Sequence, residues 1–171
     1  MNEELKTVYV SAPTDTDKII VETLELLCDS FSAPIRITNQ KSDFTATLES
    51  TAPVDASTSV TFTATEFNLK RPSTGDNPTQ TFDIKISNID KLASGTLEQA
   101  IDTPNKITMI YRVYVYGTTS GPAIDPPAEM ALESAVADSR MLVAKARTAD
   151  VINKPFPTIV YDANNFPGLI R

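Results

Sequence analysis

The chain has 171 residues, the length of one domain or of one domain with a long arm. Apolar residues make up 41% and charged residues 22%, which excludes wholesale disorder; a chain of this size hides roughly 70% of its unfolded surface without staples. Fifteen basic against 22 acidic residues give a net charge of −7, so phosphate backbones and anionic membrane surfaces make poor partners.

The missing residue types narrow the function further. There is no His, which excludes Ser–His–Asp and Cys–His catalysis and His-ligated metals. The single cysteine, Cys28, forms neither an internal disulfide nor a cysteine cluster, which fits synthesis in a reducing cytoplasm. No apolar run approaches the ~18–20 residues that span a bilayer. The opening Met1-Asn2-Glu3-Glu4-Leu5-Lys6 lacks the pattern of a signal peptide. The expectation is a protein that is not an enzyme, carries no cofactor or metal and inserts in no membrane.

In chain order, Met1 to Tyr9 reads as a short helix or an arm, and Ser11 to Asp15 turns the chain. Ile19 to Cys28 fits a helix through Ile20, Leu24 and Leu27, or a strand by alternation. The strand is preferred because Pro34 to Thr38 follows as its hairpin partner across Asp29 to Ala33. Asp43 to Glu49 alternates with Phe44, Ala46 and Leu48 on one face. Ser59 to Leu69 alternates through Val60 and Phe62, then slips phase to Phe67 and Leu69. A β-bulge at Thr65-Glu66 would return them to the same core face.

Pro72 to Gln80 is a polar loop, and Thr81 to Ser87 a strand with Phe82, Ile84 and Ile86 inward. Asp90 to Asp102 has loose helical spacing, with Ser94 or Thr96 as cap, and Pro104-Asn105 ends it. Ile107 to Tyr116 is apolar on both faces, which predicts a central strand. Gly117 to Pro127 is a turn-rich loop. Ala128 to Thr148 fits a helix or a strand pair around Asp138-Ser139-Arg140, and the pair is taken. Asp150 to Arg171, with Pro155-Phe156-Pro157 and Phe166-Pro167-Gly168-Leu169, reads as an irregular Pro/Phe-rich arm. The predicted fold is mainly β, an antiparallel sandwich or barrel with one or two short helices, built as a single domain over 1–171 with residues 150–171 as a C-terminal arm.

Few residues offer chemistry. Cys28, ending an apolar strand, reads as a buried inert thiol. The pairs Glu22/Glu25 and Glu129/Glu133 read as solvated faces rather than a glycosidase dyad. Asp15 with Asp17, and Asp76-Asn77, match no calcium loop. Tyr111, Tyr114 and Tyr116 with Arg112 have the composition of a stacking platform for single strands or sugars, but on a central strand they read as core and interface residues. The arm either caps its own sandwich or docks on another subunit through Phe156, Pro157, Tyr161, Phe166, Pro167 and Leu169.

An ordered series of short motifs then carries a resemblance. Thr23-Leu24-Glu25-Leu26, Pro34-Ile35-Arg36-Ile37 and Asp43-Phe44-Thr45-Ala46-Thr47-Leu48-Glu49 come first. Val60-Thr61-Phe62-Thr63-Ala64, Phe82 to Ile89 and Tyr111-Arg112-Val113-Tyr114-Val115 follow. Gly121-Pro122, Asp125-Pro126-Pro127, Phe156-Pro157, Tyr161 and Phe166-Pro167-Gly168-Leu169 complete the series. From about Val8 onward the chain resembles a family of phage tail proteins of unknown function. It is similar to the N-terminal domain of the lambda-like minor tail protein L, a tail-tip component. That relative has a further cysteine-bearing region with an iron–sulfur cluster; here the one cysteine is Cys28, and the cluster is not carried over.

The resemblance implies a structural subunit at the distal tip, or baseplate hub, of a long non-contractile tail. Its expected place in the virion is between the tail tube and the central fibre. Its expected partners are the distal tube ring, the hub or central fibre protein, and further copies of itself as a trimer or hexamer, with no sequence-specific nucleic acid. Two rivals stand beside it: a receptor- or glycan-binding β module of the tail using Tyr114, Tyr116 and the loop after Gly117, and a tail assembly chaperone absent from virions.

Overall fold

The computed structural model describes residues 2–11, 19–70, 81–87, 106–138 and 140–148. A helix, α1 (Glu3–Ser11), precedes nine strands: β1 (Ile20–Leu27), β2 (Ile35–Thr38), β3 (Phe44–Thr47), β4 (Ser59–Ala64), β5 (Phe67–Lys70), β6 (Thr81–Ser87), β7 (Thr108–Val115), β8 (Ala128–Ala137) and β9 (Met141–Thr148). They form one open sheet in the order β3-β4-β2-β1-β7-β8-β9-β6-β5. The fold is mainly β and sandwich-like, as the alternating sequence predicts. One pair departs from the antiparallel expectation: β2 runs parallel to β4, with Ile37 opposite Thr63 and Thr38 opposite Ala64.

α1 begins where sequence chemistry favours it. Asn2 stands at the cap position, and Glu3 and Glu4 in the first turn complement the positive end of the helix dipole. Only Leu5 and Val8 of this helix are buried.

The sheet curls so that both faces of its middle strands are covered. The larger core gathers Leu24 and Leu26 of β1, Ile35 and Ile37 of β2, and Met109, Tyr111, Val113 and Val115 of β7. Phe67, Phe82, Ile84, Ile86, Leu142, Ala144 and Ala146 of β5, β6 and β9 close over them. The smaller core lies on the opposite face, where Val21 and Tyr114 meet Phe44, Ala46, Leu48, Val60 and Phe62. This double cover explains why β7 is apolar throughout: it sits fifth of nine strands, with every residue from Met109 to Val115 buried.

The phase slip near Thr65-Glu66 has a different cause from a bulge. β4 and β5 are separate strands lying far apart in the sheet order, and Thr65-Glu66 is the corner between them. The Thr65 amide donates to the Thr38 carbonyl of β2 at 2.9 Å. One residue later the Glu66 carbonyl accepts from the Ser87 amide of β6 at 2.8 Å. Val60 and Phe62 therefore serve the smaller core and Phe67 the larger one. A true register shift occurs instead in β8, between Leu132 and Ser134.

Ala128 to Thr148 forms the strand pair, with β8 and β9 antiparallel. The predicted loop at Pro72 to Gln80, the predicted helix at Asp90 to Asp102 and the C-terminal arm lie outside the described residues.

Candidate functional site

The densest polar constellation is a buried chain of charges between β1, β2 and β7 and the segment that follows β3. Register assembles it. Glu25 of β1 stands directly opposite Arg36 of β2, while Arg112 of β7 stands opposite Thr23, two residues from Glu25. Direct and diagonal neighbours on one face of a sheet are within reach of long side chains. Glu49, two residues past β3, closes the group from above.

The Arg112 guanidinium donates from Nε to Glu49 Oε2 and from Nη2 to Glu49 Oε1, both at 2.8 Å, the two-pronged geometry that suits arginine to carboxylates. Its Nη1 donates to Glu25 Oε2 at 2.6 Å. The other oxygen of Glu25 accepts from Arg36 Nε at 2.7 Å, and Arg36 Nη2 donates to Asp55 Oδ2 at 2.8 Å. Five alternating charges thus run from Glu49 to Asp55. Arg112 and Glu25 are each 1% exposed.

Electrostatics favour the ionised forms of Glu49 and Arg112. Burial alone would raise the Glu49 carboxyl, but the hydrogen bonds and charge of Arg112 outweigh it and hold the group below its ordinary 4.5. Burial would likewise lower the Arg112 guanidinium, and Glu49 and Glu25 reverse that. The Tyr114 phenol is pushed up by burial; its hydroxyl donates to the Thr47 carbonyl at 3.2 Å. An uncompensated buried ion costs several kcal/mol, about 3–5 when one partner of a buried pair is removed, so this arrangement ties β1, β2, β7 and the segment after β3 to one geometry.

The solvated-face reading of Glu22/Glu25 is therefore corrected. Alternation along β1 sends the two carboxylates to opposite faces. Glu25 enters the buried network, and Glu22 accepts from the Tyr111 hydroxyl at 2.7 Å on the other face. Glu129 and Glu133 are exposed, as expected. The signal for the network was present in the hairpin: pairing residues 19–28 with 34–38 sets Glu25 against Arg36. That Glu49 arrives from beyond a third strand has no local signal.

The tyrosine platform is also resolved. Tyr111, Arg112 and Tyr114 are core residues, and Tyr111 lies on the face opposite Tyr114. Tyr116 alone is half exposed, tilted against Phe44 at 6.5 Å between ring centres. A glycan site using Tyr114 is thereby lost, because no sugar reaches a fully buried ring.

Cys28 lies just past the end of β1 and is half-buried, not enclosed as predicted. It lines an open cleft of about 600 Å³ with Leu27, Phe31, Pro34, Val54 and Lys106. Among the described residues no group of three carboxylate or cysteine side chains is placed to hold a metal ion, and no helix is long and apolar enough to cross a membrane. Asp15, Asp17, Asp76 and Asn77 lie outside the described residues. So do all six predicted docking residues, Phe156, Pro157, Tyr161, Phe166, Pro167 and Leu169.

No curated protein matches the chain in sequence. The sequence pattern of DUF1833, described as a domain of unknown function, matches residues 4–161, nearly the whole chain, and the chain belongs to that family.

Proposed function

We propose that the protein is a structural subunit of the distal tail tip or baseplate hub of a long, non-contractile phage tail, acting by assembly with its neighbours rather than by chemistry. The observation that carries this reading is the contrast between interior and surface. The strongest charges of the central strands are spent on holding the core, whereas large apolar side chains stand on the surface. Val136 and Val143 face each other across β8 and β9 at 69% and 39% exposure, beside Met141 at 44%. Adjacent exposed apolar side chains on a regular sheet face are a feature of interaction surfaces. The ordered motifs that resemble phage tail proteins supply the setting, and the Pro/Phe-rich residues after Asp150 supply a second contact to neighbouring tail proteins.

Genetic complementation tests it. A phage lacking this gene should make capsids without finished tails, and the intact chain should restore them. A chain lacking residues 153–171 should stay soluble and folded yet fail to restore tails. Normal tails from the truncated chain would contradict the assigned contact. Normal tails without the gene would contradict the function.

A further inference from the structure

Of the three tyrosines in β7 and the turn after it, Tyr116 alone is left outside the core, at 47% exposure. Its backbone is fixed by three hydrogen bonds. The Tyr116 amide donates to the Ile19 carbonyl at 2.8 Å, and the Thr118 amide closes the turn onto the Val115 carbonyl at 3.0 Å. The Thr119 carbonyl then accepts from the Thr47 amide at the end of β3, at 2.8 Å. Gly117 takes a φ of 93°, the positive value that a turn of this kind needs at its third position. A rigid aromatic side chain displayed on such a turn presents contact area at little cost in conformational entropy.

Two open hollows share Tyr116 and Gly117 as a common wall. The one toward β3 has about 340 Å³ and is lined by Gln40, Ser42, Asp43 and Thr45. The one toward α1 has about 280 Å³ and is lined by Glu4, Thr7, Val8 and Thr118. Both are near the lower end of ligand-pocket volumes, roughly 300–1,000 Å³. The Asp43 carboxylate is oriented, because its Oδ1 accepts from the Ala64 amide at 2.9 Å. Its Oδ2 and the side chains of Gln40 and Ser42 make no hydrogen bond among the described residues. No Lys or Arg lines either hollow. Lys41 follows Gln40 in sequence without lining it, and Lys6 on α1 is paired with Glu3 at 3.4 Å. With Asp43 in one hollow and Glu4 in the other, phosphate and carboxylate ligands are repelled. The chemistry that fits is neutral, rich in hydroxyls and able to stack on an aromatic ring.

We propose that Tyr116 and the hollow toward β3 bind a neutral oligosaccharide, one sugar stacking on the Tyr116 ring while Asp43, Gln40 and Ser42 hydrogen-bond its hydroxyls, with the adjoining sugar in the hollow beside α1. The C–H groups of a pyranose carry partial positive charge and are attracted to the negative face of the ring. A carboxylate oxygen that only accepts, beside an amide and a hydroxyl that both donate and accept, matches adjacent sugar hydroxyls. The site is distinct from a paired-tyrosine platform, which the burial of Tyr114 removes. It is a binding activity beyond the assembly role and does not depend on it.

The test is a titration of the full chain, followed by amide NMR, with tetrasaccharides of glucose, galactose, mannose and N-acetylglucosamine. At least one should bind with a Kd of about 1 mM or tighter and shift the Thr45, Gly117 and Thr119 amides. Tyr116→Ala should weaken that binding by about tenfold or more, whereas Tyr116→Phe, which keeps the stacking face, should change it by less than about threefold. Asp43→Asn, which retains an oxygen for the Ala64 amide, should weaken it by about fivefold and serves as the second variant if Tyr116→Ala fails to fold, as read by circular dichroism melts. Binding by none of the four sugars overturns the inference, as does binding that both variants leave unchanged. Tighter binding of a sulfated tetrasaccharide, or of a single-stranded DNA oligomer through Tyr116, would overturn the assignment to a neutral sugar. Label at the tail tip of virions bears on the assembly role alone, so the two claims fail separately.

Discussion

Arg112 joins parts of the chain that sequence separates by as many as 87 positions, through Glu25 and Glu49. Replacing it leaves two carboxylates facing one another in a dry interior. Arg112→Met should therefore destabilise the fold by about 3–5 kcal/mol, read as a lower urea midpoint at pH 7. The triple change Arg112→Met, Glu25→Leu, Glu49→Leu should recover much of that loss, because no buried carboxylate is then orphaned. A triple variant less stable than the single one would contradict this. The sign of the acid response follows from Glu49. Its native value is depressed, so the stability contributed by the ionised group is fully present above its ordinary 4.5 and is lost as pH falls through the lower native value. That part of the acid slope should flatten in Arg112→Met.

At the scale of elements, the turn carrying Glu49 and Asp55 is held open by unusual backbone. Asp55 and Ser57 have φ of 56° and 58°, in the left-handed region that costs a residue with a Cβ about 1 kcal/mol or more. The Ser57 amide donates to the Glu49 carbonyl at 3.2 Å, so this turn positions the lid of the network. Ser57→Gly should be neutral to about 1 kcal/mol stabilising, the relief offset by a looser unfolded chain, whereas Ser57→Val should destabilise; thermal melts of the two distinguish them. Local pattern was a good guide where burial is one-sided: β6 occupies Thr81–Ser87 as alternation places it, and Phe44, Ala46 and Leu48 share a core. It misled where the second face is covered from far away. Glu25 reads as solvent-facing until β3 and its following segment close over it. The slip at Thr65-Glu66 reads as a bulge until the strands on either side are seen to serve different cores. The parallel pairing of β2 with β4 depends on that same long-range closure.

At the scale of the whole molecule, the proposed assembly role rests on two features. One is the valine-bearing face of β8 and β9, with Lys85 and Lys145 beside Val143 and Val136. The other is a stretch of sequence, after Asp150, that concentrates phenylalanine and proline. Neither was wholly legible beforehand. The C-terminal residues announce themselves by composition, whereas the sheet face emerges only when register brings Lys85, Lys145, Val136 and Val143 together from three strands. The proposed assembly role calls for a sealed interior, and the internal pairing of Arg112 with Glu25 and Glu49 supplies it.

The central claim is the place of this protein in the virion. Intact virions labelled with gold-tagged antibody to the chain and imaged by electron microscopy test it directly. The account predicts label confined to the end of the tail opposite the capsid. Virions without label, from cells that contain the protein, would contradict it and give the assembly-chaperone role to this fold instead.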